Sequence, residues 1–577
     1  MASRGGVVDA DGSSPDGLTL ESFEVGAHPL LQSFLERIGL RGLFAEALGA
    51  PDPRLRLSPV DTALLLVRNF TLSRHPLYGV PQWARRFWAE QLELTDAQRA
   101  LLNDDRLGRT LDRLFLLDLR TLMTRFVVRV VHIFGLDLRR LHNDSTSVTF
   151  TGLYRPHPPR RDRRRRLQIV RGYNKDHRPD LKQLVWTLTV CGDGAVPVHY
   201  NVEDGNVTDD QTHVATWNLL RQIAGRADFL YVGDSKLCTR QNMSYIRSHG
   251  GHFITVLPRT RKEDARFRQS IVEHPANWQL LWTRPALRRK SDPPERFEAL
   301  EGAVTAEGYR VVWFRSSEKW KRDEQARQQA IDQTRFALHR LRERTGQRRL
   351  KTAPQVQAAV DKILDDTAAR PWITVDLVPR QHHAHKQAGP GRPGPHTRYV
   401  RCTTTVYEPV ATIDAEAVRR AAASDGIFPL VTDLPVADLS TLNLLHTYKY
   451  QACIEKRHEQ LKTAAEVVPV NFKSPERIEA FLFLYFVAIT LHGLIERQLR
   501  HAMAAHHLRT IPLYPEKREC RAPTADKILH AFEPLRTHRL LRHGRPIRIF
   551  GDPLTDVQRT ILDLLRVPTS AYAPMTR

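Results

Sequence analysis

Apolar positions recur at helical spacing from residue 22 to about 136, in HPLLQSFLERIGLRGLFAEAL, SPVDTALLLVRNFTL and RLGRTLDRLFLLDLRTLMTRFVVRVVHIFG. That period predicts a run of amphipathic helices. Ser58 followed by Pro59 reads as an N-cap with a first-turn proline. From about 137 to 260 the period shortens. LRRLHNDSTSVTF, LKQLVWTLTV and AVPVHYNV predict three strands, the last two joined by a turn at Gly192-Asp193-Gly194. Asp209 to Ala224 predicts an amphipathic helix whose acidic first residues suit its positive end. FLYVGD predicts a short strand that stops at Asp234, followed by a helix near Thr239 to His249 and a strand at HFITVL.

Residues 261 to 440 interrupt this alternation. They contain the strand patterns YRVVWFRS, WITVDLVP and RYVRCTTTVYEP, and a charged helical stretch from Lys319 to Asp366 broken near Gly346 and Pro354. AGPGRPGP at 388 to 395 reads as a loop. Helical patterns return at Leu442 to Ala465 and at Pro475 to His506. The expected architecture is α/β: an RNase H-like mixed-sheet core interrupted by a β-rich and helical insertion domain, with a helical N-terminal domain and a helical C-terminal region. The expected boundaries are a disordered tail at 1–21, a helical DNA-binding domain at 22–136 and the first part of the core at 137–260. The insertion domain follows at 261–440, the second part of the core at 441–506 and the C-terminal region, of short helices and loops, at 507–577.

Charge narrows the partner. The chain carries 87 Lys and Arg against 64 Asp and Glu, a net charge of +23. Such a field attracts phosphate and gains from counterion release, so a nucleic acid is the expected partner. The arginine cluster RRDRRRR at 160 to 166 sharpens that expectation. The five scattered cysteines form no CxxC pair, which argues against a disulfide framework and a cysteine zinc site. Phe481 to Leu494 is apolar but too short to span a bilayer, and reads as a buried core helix rather than a membrane partner. The first twenty residues lack an apolar signal segment, so a cytoplasmic location is expected.

Three acids stand where chemistry needs them. Asp144 lies within a strand pattern, where an ionised side chain is costly to bury without a cation. Asp234 ends a different apolar strand, at the edge where α/β sheets place ligand-binding groups. Taken singly, each also fits an ordinary turn or cap. In YKYQACIEKRHEQLK, residues Tyr448, Gln451, Glu455 and Lys462 are spaced to share one helical face. A solvated face is the plain reading of such a stripe, but the apolar helix that follows needs partners and would press this one against the core.

At these residues the chain resembles the bacterial insertion-sequence transposases with an RNase H-like DDE core, of the insertion-sequence-four type. Their signature is Tyr-x2-Arg-x3-Glu-x6-Lys; Tyr448, Glu455 and Lys462 match it in spacing, and Gln451 stands in place of the arginine. Lys456 and Arg457 are the neighbouring candidates to replace that cation, from other faces of the helix. NDSTS around Asp144 and VGDSKL around Asp234 are similar to the first and second acidic motifs. The resemblance implies a transposase in which Asp144, Asp234 and Glu455 are catalytic and bind two Mg²⁺ ions, with Mn²⁺ able to substitute. It implies Tyr448 and Lys462 as DNA contacts, and a homodimer or larger synaptic complex on terminal inverted repeats. Two other readings fit a basic surface: a standalone metal nuclease, and a decayed transposase kept as a DNA-binding repressor.

Weaker candidates are His382, His383 and His385 as a metal group, Gly391-Arg392-Pro393 as the core of an AT-hook, and Asp209, Asp210 and His213 near the site's mouth. Any of Trp278, Trp282, Trp313, Trp320 and Trp372 could stack on an unpaired base, with core packing the plainer role for each.

Overall fold

The computed structural model describes residues 18–574, apart from 51, 53, 155–166, 176–177, 208–211, 275, 287–290, 348 and 468–473. In chain order the strands begin with β1 (Leu18–Glu24), β2 (Arg140–Phe150), β3 (Lys182–Cys191), β4 (Pro197–Asp204), β5 (Leu230–Val232) and β6 (His252–Val256). They continue with β7 (Gln279–Arg284), β8 (Glu295–Glu301), β9 (Arg310–Ser316), β10 (Ile373–Gln387) and β11 (Tyr399–Ile413). The last are β12 (Ile427–Thr432), β13 (Arg536–Arg542) and β14 (Arg545–Gly551). The chain forms two compact units, one of residues 1–254 and 445–577, the other of residues 255–444.

The first unit is built on a mixed sheet in the order β4-β3-β2-β5-β6. β2 runs antiparallel to β3, and β3 to β4. On its other edge β2 is parallel to β5, and β5 to β6. Helices His213–Ala224 and Arg240–Ser248 make the crossovers that parallel neighbours require. β3 is buried along almost its whole length, as a continuous apolar run in a central strand should be.

The N-terminal helices form as their period predicts. Ser58 accepts a hydrogen bond from the Asp61 amide at 3.0 Å, and Pro59 opens helix Pro59–Leu72. That helix is matched by the 31-residue helix Pro475–Ala505, whose most apolar window is 94% buried. Its length and composition would suit a membrane, but its ring contacts are inside the fold. Phe481 meets Phe70 edge-on at 4.8 Å, and Phe486 lies 4.8 Å from Tyr200 of β4 and 6.3 Å from Phe126. The long helix therefore ties the N-terminal helices to the sheet.

Two expectations at the chain ends need correction. The tail was expected to run to residue 21, but Leu18–Glu24 is a strand paired antiparallel with β13. The C-terminal region, expected to be helices and loops, holds the β13–β14 hairpin beside helices Ala525–His530 and Asp556–Leu565. Arginines hide these strands: Arg539 sits in the alternation, pairs with Glu21 and stacks over Phe23.

The second unit has its own four-stranded order, β12-β9-β8-β7, and a separate ribbon of β10 and β11. Helix Ser317–Arg342 ends before Gly346, which adopts a positive φ of 79°, and helix Ala353–Asp366 restarts with Pro354 in its first turn. A buried pair, Arg327 with Asp425 at 2.7 Å, joins the first of these helices to the segment entering β12.

Candidate active site

β2 is the fixed element of the site, paired with β3 from Leu141 to Phe150 and with β5 from Arg140 to His142. Asp144 sits mid-strand opposite Leu188, with its side chain 21% exposed. Lys175 Nζ lies 3.7 Å from Asp144 Oδ1 and is held there by the Ser145 carbonyl at 2.7 Å and the Ser145 hydroxyl at 2.6 Å. On the other side His458 Nε2 lies 3.7 Å from Asp144 Oδ2. Burial, then Lys175 and Lys462, push the His458 pKa down to about 3, so the ring is neutral near pH 7.

Asp234 follows β5 after one glycine. Its Oδ1 accepts the Lys236 amide at 3.0 Å, so it does make the local turn that a lone aspartate suggests. It also lies within the field of the first acid: burial, then the charge of Asp144, raise its pKa. Glu455 is exposed in area, yet neighbouring protein crowds its carboxyl. That desolvation, then Asp144 and then Glu459, raise its pKa as well. Tyr448 completes the group. Its pKa is raised to about 12 by burial and then by Asp234, Asp144 and Glu455. Three carboxylates, from a strand, the turn after a second strand and a helix, therefore act on one phenol.

The helix carrying this group differs from the expected single rod. Thr441–Lys449 and Ala452–Val467 are separate helices. The turn between them tightens into i→i+3 bonds, from Gln451 N to Tyr448 O at 3.0 Å and from Ile454 N to Gln451 O at 3.0 Å. Gln451 explains the break. Its Nε2 donates to the Asn143 carbonyl at 2.9 Å and its Oε1 lies 3.1 Å from His142 Nδ1, so the side chain clips the turn to β2. The expected DNA contact at Gln451 is thus engaged inside the fold.

Arg457 is likewise turned inward, only 4% exposed. It pairs with Glu496 of the long helix at 2.8 Å and donates to the Ala195 carbonyl at 3.1 Å. Lys456 is exposed and Lys462 half-buried. Lys175 and His458 are the residues that sequence reasoning passed over. His458 follows Glu455 at i+3, a spacing that places the two side by side; nothing local points to Lys175.

Other candidates scatter. Asp209, Asp210 and the Arg160 to Arg166 cluster lie outside the described residues. His213 is buried, with Nδ1 3.1 Å from the Tyr231 hydroxyl. Trp313 is buried and stacked on Phe267 at 3.7 Å, Trp282 stacks on Phe297 at 5.1 Å, and Trp278 takes Arg315 over its ring at 4.9 Å. Trp372 packs into its unit's core, while Trp320 is 41% exposed. His382, His383 and His385 lie on β10, where alternation sends the first to the opposite face from the other two.

Among the described residues, no group of three His, Cys, Asp or Glu side chains closes tightly enough to grip a metal ion by itself. The donor set still suits a hard divalent cation, because its carboxylates burden one another with negative charge that such an ion would relieve.

A mixed α/β unit interrupted by a second unit, with its acids gathered from strand and helix, is an architecture that comparison with known proteins can place. Residues 139–491, more than half the chain and spanning all three acids, match the family model described as Transposase DDE domain. The chain belongs to that transposase family. Residues 21–128 match a second model, described as a domain of unknown function, DUF4277. No curated protein matches the chain. Among solved structures, a cryo-EM piggyBac transposase synaptic complex with hairpin DNA is similar at 10% identity and a TM-score of 0.26. That match covers 49% of this chain and 61% of the other, and so loose a likeness carries no weight here.

Proposed function

We propose that this chain is the transposase of a bacterial insertion sequence of the insertion-sequence-four type. On this reading it cuts DNA at the ends of its element and joins the freed ends to target DNA, with Asp144, Asp234 and Glu455 as the catalytic, metal-binding acids. The observation that carries the reading is placement: Asp144 lies on β2, Asp234 just past its parallel neighbour β5, and Glu455 on a helix whose first turn Gln451 fastens to Asn143 of β2. Burial and then Asp144 raise the proton affinity of the other two acids. The sheet order β4-β3-β2-β5-β6 supports an RNase H-like core, with the unit at 255–444 as the insertion domain and 22–136 as a DNA-binding domain.

Mg²⁺, or Mn²⁺ in its place, suits these oxygen donors. Mg²⁺ commonly keeps waters and takes further oxygens from substrate phosphates, so carboxylates that do not close on their own fit a centre completed by DNA. Held by Asp144, Asp234 and Glu455, two such ions would supply stabilisation of the charge that develops on the attacking and leaving oxygens. The protein supplies placement. β2 holds Asp144 rigidly, the Asp234 turn sets the second carboxylate, and the Gln451 clip sets the helix of Glu455. Tyr448, protonated at neutral pH, donates its hydroxyl to the terminal DNA strand, and Lys462 and Lys456 meet phosphate. In the first step a water oxygen bonds to phosphorus as the P–O3′ bond breaks, leaving a 3′-hydroxyl. That hydroxyl then attacks another phosphodiester, exchanging one P–O bond for another.

The partners on this reading are terminal inverted repeats and target DNA, held by a homodimer or larger complex on the bacterial nucleoid. The test uses the full chain, Mg²⁺ and a plasmid carrying the DNA that flanks its coding region. Asp144→Ala, Asp234→Ala and Glu455→Ala are each expected to abolish cleavage while DNA binding persists. Cleavage retained in all three variants removes the mechanism. A wild-type chain that binds but does not cut, with either Mg²⁺ or Mn²⁺, leaves only the repressor reading.

A further inference from the structure

β10 and β11 pair without interruption from Ile373 opposite Ile413 to Gln387 opposite Tyr399. Only the base of this ribbon is anchored. Ile373 is buried with Leu338, Leu341, Val360 and Leu364 of the two neighbouring helices, and Val375, Leu377 and Tyr407 pack against that cluster. Beyond Pro379 and Val406 nearly every residue on both faces is exposed, including Tyr399 and Val400, each about half exposed. An isolated two-stranded ribbon is marginal in water. A long one open on both faces implies something that it grips.

Its composition says what. Between Leu377 and Tyr407 there is no Asp or Glu, while Arg380, Lys386, Arg392, Arg398 and Arg401 are cations and His382, His383, His385 and His396 add donors. Arg380 is neutralised by Glu408 at 3.0 Å. The other four cations enter no ion pair among the described residues. At the tip, Gln387 Nε2 donates to the Gly391 carbonyl at 3.1 Å, and the Gly394 amide to the Thr397 hydroxyl at 2.7 Å. Three prolines stiffen the same turn, so Arg392 is presented from a braced loop. Two strands about 4.8 Å apart fit a DNA major groove roughly 12 Å wide, and the free stretch from Arg380 to Gln387 reaches roughly 27 Å at about 3.4 Å per residue.

We infer that the β10–β11 ribbon is an arm that grips duplex DNA along a groove, with Lys386, Arg398 and Arg401 on phosphates and Arg392 leading at the tip. The choice of DNA rests on the proposed function. A second copy of this chain fits worse, because both would carry +23 and the ribbon offers no acid to a basic partner.

The test is made on the full chain without Mg²⁺ and in an Asp144→Ala background, so that it is blind to whether the acids catalyse anything. Two changes are compared: the fourfold Lys386→Ala, Arg392→Ala, Arg398→Ala, Arg401→Ala, and replacement of residues 383–403 by an Asn-Gly turn, which closes the ribbon above its anchored base. Binding to a mixed-sequence duplex is followed by fluorescence anisotropy across a salt series, with mass measured by light scattering. The fourfold variant is expected to lose more than about tenfold in affinity at low salt and to flatten the log–log salt slope by about 2.7, at about 0.9 for each of the three phosphate contacts. The shortened chain should behave alike. Unchanged affinity and slope in both overturn the inference. A fall in mass with unchanged slope overturns it in favour of a contact between copies.

Discussion

Gln451 donates its amide to the Asn143 carbonyl at 2.9 Å, across more than three hundred residues of sequence. Its oxygen can only accept, so the nearby His142 Nδ1 must carry the proton of that 3.1 Å contact, consistent with a ring whose pKa burial lowers to about 4. Gln451 is therefore the residue that joins the turn below Glu455 to the strand bearing Asp144.

Gln451→Ala should accordingly weaken both stability and activity. Two hydrogen bonds of about 1 kcal/mol each are lost and a buried carbonyl is stranded, for a total of about 1–3 kcal/mol. Gln451→Glu keeps an acceptor for His142 but sets a carboxylate oxygen against the Asn143 carbonyl, so it should be no milder than Gln451→Ala. Urea denaturation and single-turnover cleavage check this together. A Gln451→Ala chain of wild-type stability whose only defect is DNA affinity would return the residue to the DNA surface.

Arg457 offers the complementary case. Removing Arg457 takes both guanidinium bonds from Glu496 but leaves it the Ala525 amide at 2.9 Å and Arg500 at 3.5 Å. The cost should therefore fall below that of a fully stranded buried charge, about 3–5 kcal/mol. Arg457→Met should still be destabilised, and adding Glu496→Leu should not restore the chain, because it strands the buried Ala525 amide. Because Arg457 is 4% exposed, the fraction that folds should bind DNA as the wild type does. A large affinity loss without a stability loss would contradict the buried geometry.

These two residues also mark where sequence stops being informative. The strands of the first unit are legible because alternation and apolar runs report burial directly, and Asp144 stands out because it breaks such a pattern. Ser58 and Pro59 are legible as a helix start because capping is local. The break at Gln451 is not, since its cause lies on β2. Nor is the burial of Arg457, which depends on Glu496 one helix later, or the place of Lys175, set by Ser145. β1 and β13 escape because their arginines find carboxylates and rings only once the two chain ends meet.

Phe486 tests the long helix. Its ring is fully buried between Tyr200 and Phe126, so Phe486→Ala should cost about 3–5 kcal/mol, and Phe486→Leu distinctly less. Thermal and denaturant unfolding would show it. A near-neutral Phe486→Ala would mean that the N-terminal helices and the sheet are not joined through this helix.

The second unit carries an acid-sensitive clasp. Arg261 reaches Glu307 at 2.6 Å and Glu263 at 3.0 Å, and the Arg261 hydrogen bonds hold the Glu307 pKa down to about 2. A depressed carboxylate pKa means that the unfolded chain takes up the proton first as pH falls. The stabilisation is therefore complete above about 4.5, the ordinary glutamate value, and drains away as pH drops towards about 2. Glu307→Gln should lower the urea midpoint at pH 7, read by tryptophan fluorescence, and the gap from wild type should close progressively below pH 4.5. A gap that stays constant with pH would show that the glutamine loses packing rather than charge, and the clasp would not be electrostatic.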